Sequence, residues 1–313
     1  MASGVLEPRT VPLPRPVYPG AISFVTRSCA HQQFLLHPDE ETVNAVLYCI
    51  IEAAIRHGIG LIALMHMSNH LHYQVHDPHG RLPDFTRDFH RNLAKCMNVK
   101  RDRTESFFAT EQGNVVQLLA RGDMIAKLVY ILTNPVKDGL VETVEEWPGA
   151  QTWTALRDNV PLRATRPKYY FDEDGDMPEQ VEMYLTVPAE LGDRESLVVE
   201  LEKKIKRVES SVRAARRARG FGYLGRAGVL AQSWRDFPKT RRARRDIRPT
   251  IAAKNDEIRV TAIARRQQFL EDYRAALKAL RAGSTIPFPY GTYWFARFAG
   301  SPVAPLAQLE NLN

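Results

Sequence analysis

The chain is 313 residues long, 44% hydrophobic, and carries 43 Lys or Arg against 36 Asp or Glu for a net charge of +7. That length accommodates about two domains of ordinary size, and no apolar run reaches the roughly 18 residues that a membrane-spanning helix requires. Cys29, Cys49 and Cys96 form no Cys-x-x-Cys pair; an odd count without a secretory segment points to reduced thiols in a soluble, cytoplasmic protein.

Residues 1–18 hold Pro8, Pro12, Pro14 and Pro16, with Pro19 next, and proline at this density reads as an extended arm. A strand is expected at about 20–28. A helix over 39–57 follows, opened by Asp39, Glu40 and Glu41, whose negative charge suits a helix N-terminus. Apolar Ile59, Leu61, Ile62 and Leu64 read as a buried strand over 59–66, and Met67-Ser68-Asn69 as the turn of a hairpin into a strand over 70–76.

That second strand carries His70-Leu71-His72. Side chains two apart on a strand share a face, with Cα atoms about 6.5–7 Å apart. Both imidazoles therefore face one way, while Leu71, Tyr73 and Val75 face the other. Two neutral imidazoles so placed suit one divalent cation. The plain alternative is chance, since His66, His70, His72, His76 and His79 crowd this stretch and a lone His-x-His is a common pattern.

A helix is expected at 83–99 and a strand or hairpin at 105–119. Apolar Ile125, Leu128, Val129 and Leu132 follow helical spacing, so a further helix covers 123–134 and stops near Pro135. Tyr130 and Asn134, four apart, share a face about 100° around from the apolar stripe. A phenol and a carboxamide oxygen thus point the same way. The plain alternative is a packed tyrosine and an asparagine ending a helix before proline. Helices separated from an antiparallel sheet make this region an α+β sandwich.

Beyond it the charge is concentrated. Residues 201–250 hold 16 Lys or Arg against 4 Asp or Glu, an excess of +12 that leaves −5 for the rest of the chain. Lys203, Lys204, Lys206, Arg207, Arg213, Arg216, Arg217 and Arg219 would line a helix, and Arg241, Arg242, Arg244 and Arg245 form a second cluster. Such a concentration is an electrostatic footprint for phosphate backbones, set against the plainer reading of a solvated helical face. Gly220, Gly222, Gly225 and Gly228 lead into Val229–Trp234, which reads as a helix-turn-helix-like DNA reader or as a loop. A long helix over 256–281 would pack a C-terminal domain that is mostly helical from about residue 160. The aromatic stretch Pro287–Phe298 reads as a cap over apolar surface or as a platform for single-stranded bases.

Together these segments resemble the HUH superfamily of single-tyrosine transposases, and within it the REP-associated tyrosine transposases of bacteria. Ser68-Asn69-His70-Leu71-His72 resembles that family's Pro-Asn-His-hydrophobic-His. The run Tyr130-Ile131-Leu132-Thr133-Asn134-Pro135-Val136-Lys137-Asp138-Gly139-Leu140-Val141 resembles its Tyr-x-x-x-Asn-Pro-Val-Arg-Ala-Gly-Leu-Val, and Ser23-Phe24-Val25-Thr26-Arg27 resembles its first strand. The likeness covers roughly residues 18–155, where Trp147-Pro148-Gly149-Ala150 loosely matches a Trp-Ser-Ser-like ending. Ser68 departs from the family's proline, and Glu105–Gln112 stands in place of a basic, Trp-containing hairpin.

The resemblance implies a ferredoxin-like HUH nuclease core over 19–158 and a basic, mostly helical DNA-binding domain over 159–313. It implies a transposase that cleaves and rejoins single-stranded DNA at hairpin or repeat sequences. In that reading Tyr130 is the nucleophile and forms a 5′-phosphotyrosine, which a 3′-hydroxyl later displaces without ATP. His70, His72 and Asn134 hold Mg²⁺ or Mn²⁺, the latter being the better match to imidazole. Arg27, Asn69, Lys127 and Lys137 hold phosphate around the site, and Arg241, Arg242, Arg244 and Arg245 hold duplex or hairpin. The partners implied are single-stranded or hairpin DNA, with no membrane and no cofactor beyond the metal, at the nucleoid of a bacterial cytoplasm. Monomer and homodimer both stay open. Two other readings stand beside it: a domesticated DNA- or RNA-binding regulator without turnover, against which intact His70, His72, Tyr130 and Asn134 count, and a metal-dependent hydrolase using water, in which Tyr130 is dispensable.

Overall fold

Strand alternation sets the architecture from the first element. In β1 (Ala21–Ser28), Ile22 and Phe24 join one apolar cluster and Val25 another, on the opposite face. In the computed structural model, which describes residues 14–110, 113–239 and 250–305, there follow α1 (Glu40–His57), β2 (Gly60–Met67), β3 (His70–Asp77) and α2 (Leu82–Lys100). Then come β4 (Asn114–Leu118), α3 (Arg121–Leu132), α4 (Asn134–Lys137), α5 (Trp153–Asp158), β5 (Leu162–Thr165) and β6 (Gln180–Met183). The chain continues through α6 (Arg194–Ala218), α7 (Gly225–Leu230), β7 (Ile251–Ala252), α8 (Asp256–Arg281) and α9 (Trp294–Phe298). Helix ends are chemically marked. The Asp39 carboxylate caps α1 by accepting from Thr42 N at 2.9 Å, and Gly58 closes it with φ 66°. Asp77 accepts from the backbone N–H of Arg81 and of Leu82 at the start of α2, each at 2.8 Å.

Among the described residues the main sheet has the order β2-β3-β1-β4-β7, antiparallel except for the β4–β7 pair. β1-α1-β2 and β3-α2-β4 are each a split β-α-β unit, with a strand of the other unit between the two strands. The protein is α+β, with both sheet faces covered. On one, Val25, Leu71, Tyr73 and Val75 pack with residues of α1 and α2. On the other, Ile22, Phe24, Met65 and Met67 pack with Leu128, Ile131 and Leu132 of α3 and with Leu197, Leu201 and Ile205 of α6.

An edge strand exposes hydrogen-bonding groups that recruit other strands unless they are covered. Here the segment after α4 covers β2: Trp147 Nε1 donates to His66 O at 2.8 Å, and His66 N donates to Ala150 O at 2.9 Å. Farther along, Thr186 N donates to Leu61 O at 2.8 Å. Gly149 sits so close that a Cβ there would lie 2.5 Å from His66 O, so only glycine fits this approach.

The described residues fall into two compact units, Pro19–Asp256 and a second that joins the N-terminal segment through Tyr18 to Glu257 onward. The sequence reading put the boundary at 158/159. Of the stretch beyond it, β5 and α6 instead pack with the sheet core, through Asn44 Nδ2 donating to Thr165 O at 2.8 Å and through the buried Leu197, Leu201 and Ile205. Where the arm is described it is packed within the second unit: Val17 N donates to Gly291 O at 2.9 Å and Tyr18 stacks on Tyr290 with centroids 5.7 Å apart. The aromatic stretch is divided. Phe288 is buried and stacks on Phe295 at 4.7 Å, as a cap does, while Trp294 and Phe298 stack at 5.0 Å and are exposed. No helix among the described residues is long and apolar enough to cross a membrane.

Between α2 and α3 the described residues hold the single strand β4 rather than a hairpin. Phe107 and Phe108 are buried there, and a single backbone bridge holds the stretch to the end of β1, with Ala30 N donating to Phe107 O at 2.9 Å and Ala109 N to Ser28 O at 3.0 Å. The helical path runs on past Pro135: Thr133 N donates to Val129 O and Lys137 N to Thr133 O, both at 3.0 Å. Pro135 occupies the first turn of α4, where its missing N–H costs little.

Candidate active site

His70 and His72 lie two apart on the interior strand β3, and both face α3. Their ring centroids are 4.6 Å apart. Tyr130, on α3, meets His72 edge to face at 5.3 Å, and Phe24 of β1 fills the angle between them, 5.5 Å from His72 and 6.0 Å from Tyr130. Asn134 comes one helical turn after Tyr130; it is 6% exposed, and its Oδ1 is buried with no hydrogen-bond partner.

Each histidine is held through Nδ1. His70 Nδ1 is 2.7 Å from Asn69 Oδ1, and Asn69 Nδ2 donates to Gln32 O at 3.1 Å. With the amide so oriented, Oδ1 only accepts, so His70 carries its proton on Nδ1 and presents the lone pair of Nε2. His72 Nδ1 is 2.9 Å from the Thr26 hydroxyl. The Nε2 atoms of both rings are buried. Partners on Nδ1 fix the orientation of each ring and leave Nε2 for a ligand.

Two lysines flank the tyrosine. Lys127 Nζ lies 5.6 Å from the Tyr130 ring centroid and 5.0 Å from that of Phe24; Lys137 Nζ lies 5.2 Å from the Tyr130 ring. Burial pushes both ammonium groups below the ordinary lysine value, against an opposing pull from Asp123 on Lys127 and from Asp138 on Lys137. The basic helix α6 adjoins this corner. The backbone N–H groups of Leu224 and Gly225 donate to Gly139 O and Leu140 O at 3.2 and 2.8 Å, and Arg213 pairs with Glu142 at 2.6 Å.

The structure brings together His70, His72, Tyr130, Lys127 and Lys137, with Asn134 on the adjoining turn, but it sends Arg27 elsewhere. Arg27 pairs in register with Leu71 rather than with a histidine, so it projects onto the α1–α2 face, its guanidinium 5.0 Å over the Phe108 ring. Asn69, expected to hold phosphate, has its amide engaged with His70 and Gln32. Arg241, Arg242, Arg244 and Arg245 lie outside the described residues. His66 is a core residue: its Nε2 donates to Leu36 O at 2.6 Å and its Nδ1 accepts from Ala150 N at 3.3 Å. Sequence reasoning missed Thr26, Phe24 and Gln74, all on the histidines' face; alternation from His72 along β3 locates Gln74, whereas Phe24 and Thr26 require the register of β1.

Among the described residues no cluster of three or more His, Cys, Asp or Glu could hold a metal ion. A cation here would therefore draw on the Asn134 carboxamide, and two imidazoles with a buried, unsatisfied amide oxygen are a donor set that fits a divalent cation. No family model matches the chain, and no curated protein matches it. Among solved structures, one described as a REP-associated tyrosine transposase bound to a REP hairpin is similar, with a TM-score of 0.41 and 16% identity, covering 54% of this chain and 94% of that one.

Proposed function

We propose that this protein is a metal-dependent DNA nuclease and strand transferase on a ferredoxin-like HUH core, with Tyr130 as its nucleophile. The observation that carries the reading is the Tyr130 ring 5.3 Å from that of His72, with two lysine ammonium groups over the phenol. His70 and His72 through Nε2, and Asn134 through Oδ1, would hold Mg²⁺ or Mn²⁺. The ion supplies positive charge to the non-bridging oxygens of a scissile phosphate. Tyr130 Oη forms a bond to phosphorus as the bond from phosphorus to the 3′-oxygen breaks; the phenol proton passes through water to the departing 3′-oxygen, which leaves as a hydroxyl. The 5′-phosphate stays on tyrosine until a 3′-hydroxyl attacks it and releases the phenol, so bond energy is conserved. Lys127 and Lys137 hold the strand's phosphates and offset charge developing on Tyr130. The basic face of α6, beside α4, holds the backbone of a hairpin stem without reading its bases.

The test incubates the full chain with Mn²⁺ and labelled single-stranded hairpins from the flanks of its own gene, followed by a denaturing gel. A protein–DNA band in the wild type that is lost in Tyr130→Phe supports the reading. Cutting that persists in Tyr130→Phe means that water is the nucleophile. Hairpin binding without cutting by either protein means a regulator.

A further inference from the structure

Gln74 stands two residues beyond His72 on β3, so it shares the histidines' face of the sheet. Its side chain is fully buried, and neither Oε1 nor Nε2 has a hydrogen-bond partner. Its neighbours in register are Phe24 on β1 and Ala63 on β2, which offer no polar side-chain group. Phe24 is the ring that stacks on His72 and meets Tyr130 edge to face, which puts the amide at the floor of the candidate site. Unsatisfied buried amides are rare in folded proteins, and one with both ends open calls for a water or an ion. Apolar Met or Leu would fill the same space without that cost.

We infer that Gln74 is a positioning residue for the cation, its amide hydrogen-bonding the water that the ion carries. This rests on the function proposed above. The chemistry is specific: Mg²⁺ and Mn²⁺ keep several water ligands when protein supplies only a few donors. Strand spacing sets the Gln74 Cα about 6.5–7 Å from that of His72, in range of a bound water's far side rather than of the ion. Oε1 accepts from such a water, and Nε2 donates to a second water or to a phosphate oxygen.

The test titrates Mn²⁺ into the metal-free full chain, follows free Mn²⁺ by electron paramagnetic resonance, and records Tm without metal. Wild type, His70→Ala/His72→Ala, Gln74→Leu and Gln74→Met are compared, the methionine being closest in shape and safest for folding. The expected result is one Mn²⁺ site in the wild type, lost in the double histidine variant. In the Gln74 variants Mn²⁺ affinity falls about 10- to 100-fold, with Tm in the absence of metal equal to or above that of wild type. Wild-type Mn²⁺ affinity in both Gln74 variants overturns the inference and leaves the metal site standing. Absence of a Mn²⁺ site in the wild type overturns the functional reading and this inference with it.

Discussion

Tyr130 and His72 meet edge to face with ring centroids 5.3 Å apart, joining the helix α3 to the strand β3. The contact joins the strand that carries His70 and His72 to the helix that carries Lys127 and Tyr130.

Thr26 and Asn69 are the Nδ1 partners of His72 and His70. Removing the hydroxyl in Thr26→Val, or the amide in Asn69→Ala, releases His72 or His70 from its Nδ1 partner. Each change should weaken Mn²⁺ binding about 10- to 100-fold, with Tm in the absence of metal shifted by only a few degrees. Unchanged Mn²⁺ affinity by titration would remove both from the site.

Lys127→Gln and Lys137→Gln should weaken single-stranded DNA binding and flatten its salt dependence. Each lost phosphate contact lowers the slope of log K against log salt by about 0.7. Affinities measured across salt concentrations check this; wild-type slopes in both variants would contradict it.

Arg27→Gln should leave DNA cutting and adduct formation at wild-type levels, because its side chain lies on the opposite face of the sheet. The loss of its contact with the Phe108 ring should cost stability by about 1 kcal/mol, read by urea denaturation. A selective loss of cutting with unchanged stability would return Arg27 to the site.

Acid should destabilise the fold through His66. Burial pushes its imidazole down to about 4 from the ordinary 6.5, so the unfolded chain takes up a proton first as pH falls. Stability is then full above about pH 6.5 and falls until about pH 4, by about 3 kcal/mol from this group. His90, pushed down to about 3 by burial and by Arg27, adds in the same direction. Urea midpoints between pH 7 and pH 4 check this, and His66→Gln, whose amide can donate and accept at the same two positions, should show a shallower loss. A wild-type midpoint constant over that range would contradict the assignment.

Much of the core was legible from side-chain periodicity. Alternation placed His70 and His72 on one face and Leu71, Tyr73 and Val75 on the other, and the structure divides them so. The 3.6-residue period identified the Tyr130 helix. What escaped depended on pairing between distant segments. Arg27 is next to Thr26 in the chain, but a shift of one residue changes faces, and only the register Thr26↔His72 decides which of the two meets the site. The second domain boundary escaped for another reason: Leu197, Leu201 and Ile205 form a narrow apolar stripe inside a charge-rich helix, so composition marked α6 as separate while packing ties it to the core.

The most direct measurement is mass spectrometry of the protein after incubation with a single-stranded hairpin and Mn²⁺, followed by nuclease and trypsin. The account predicts a nucleotide-phosphate mass on the peptide of residues 128–137, localised to Tyr130. Cleaved DNA with that peptide unmodified, or with the nucleotide on another residue, would contradict it.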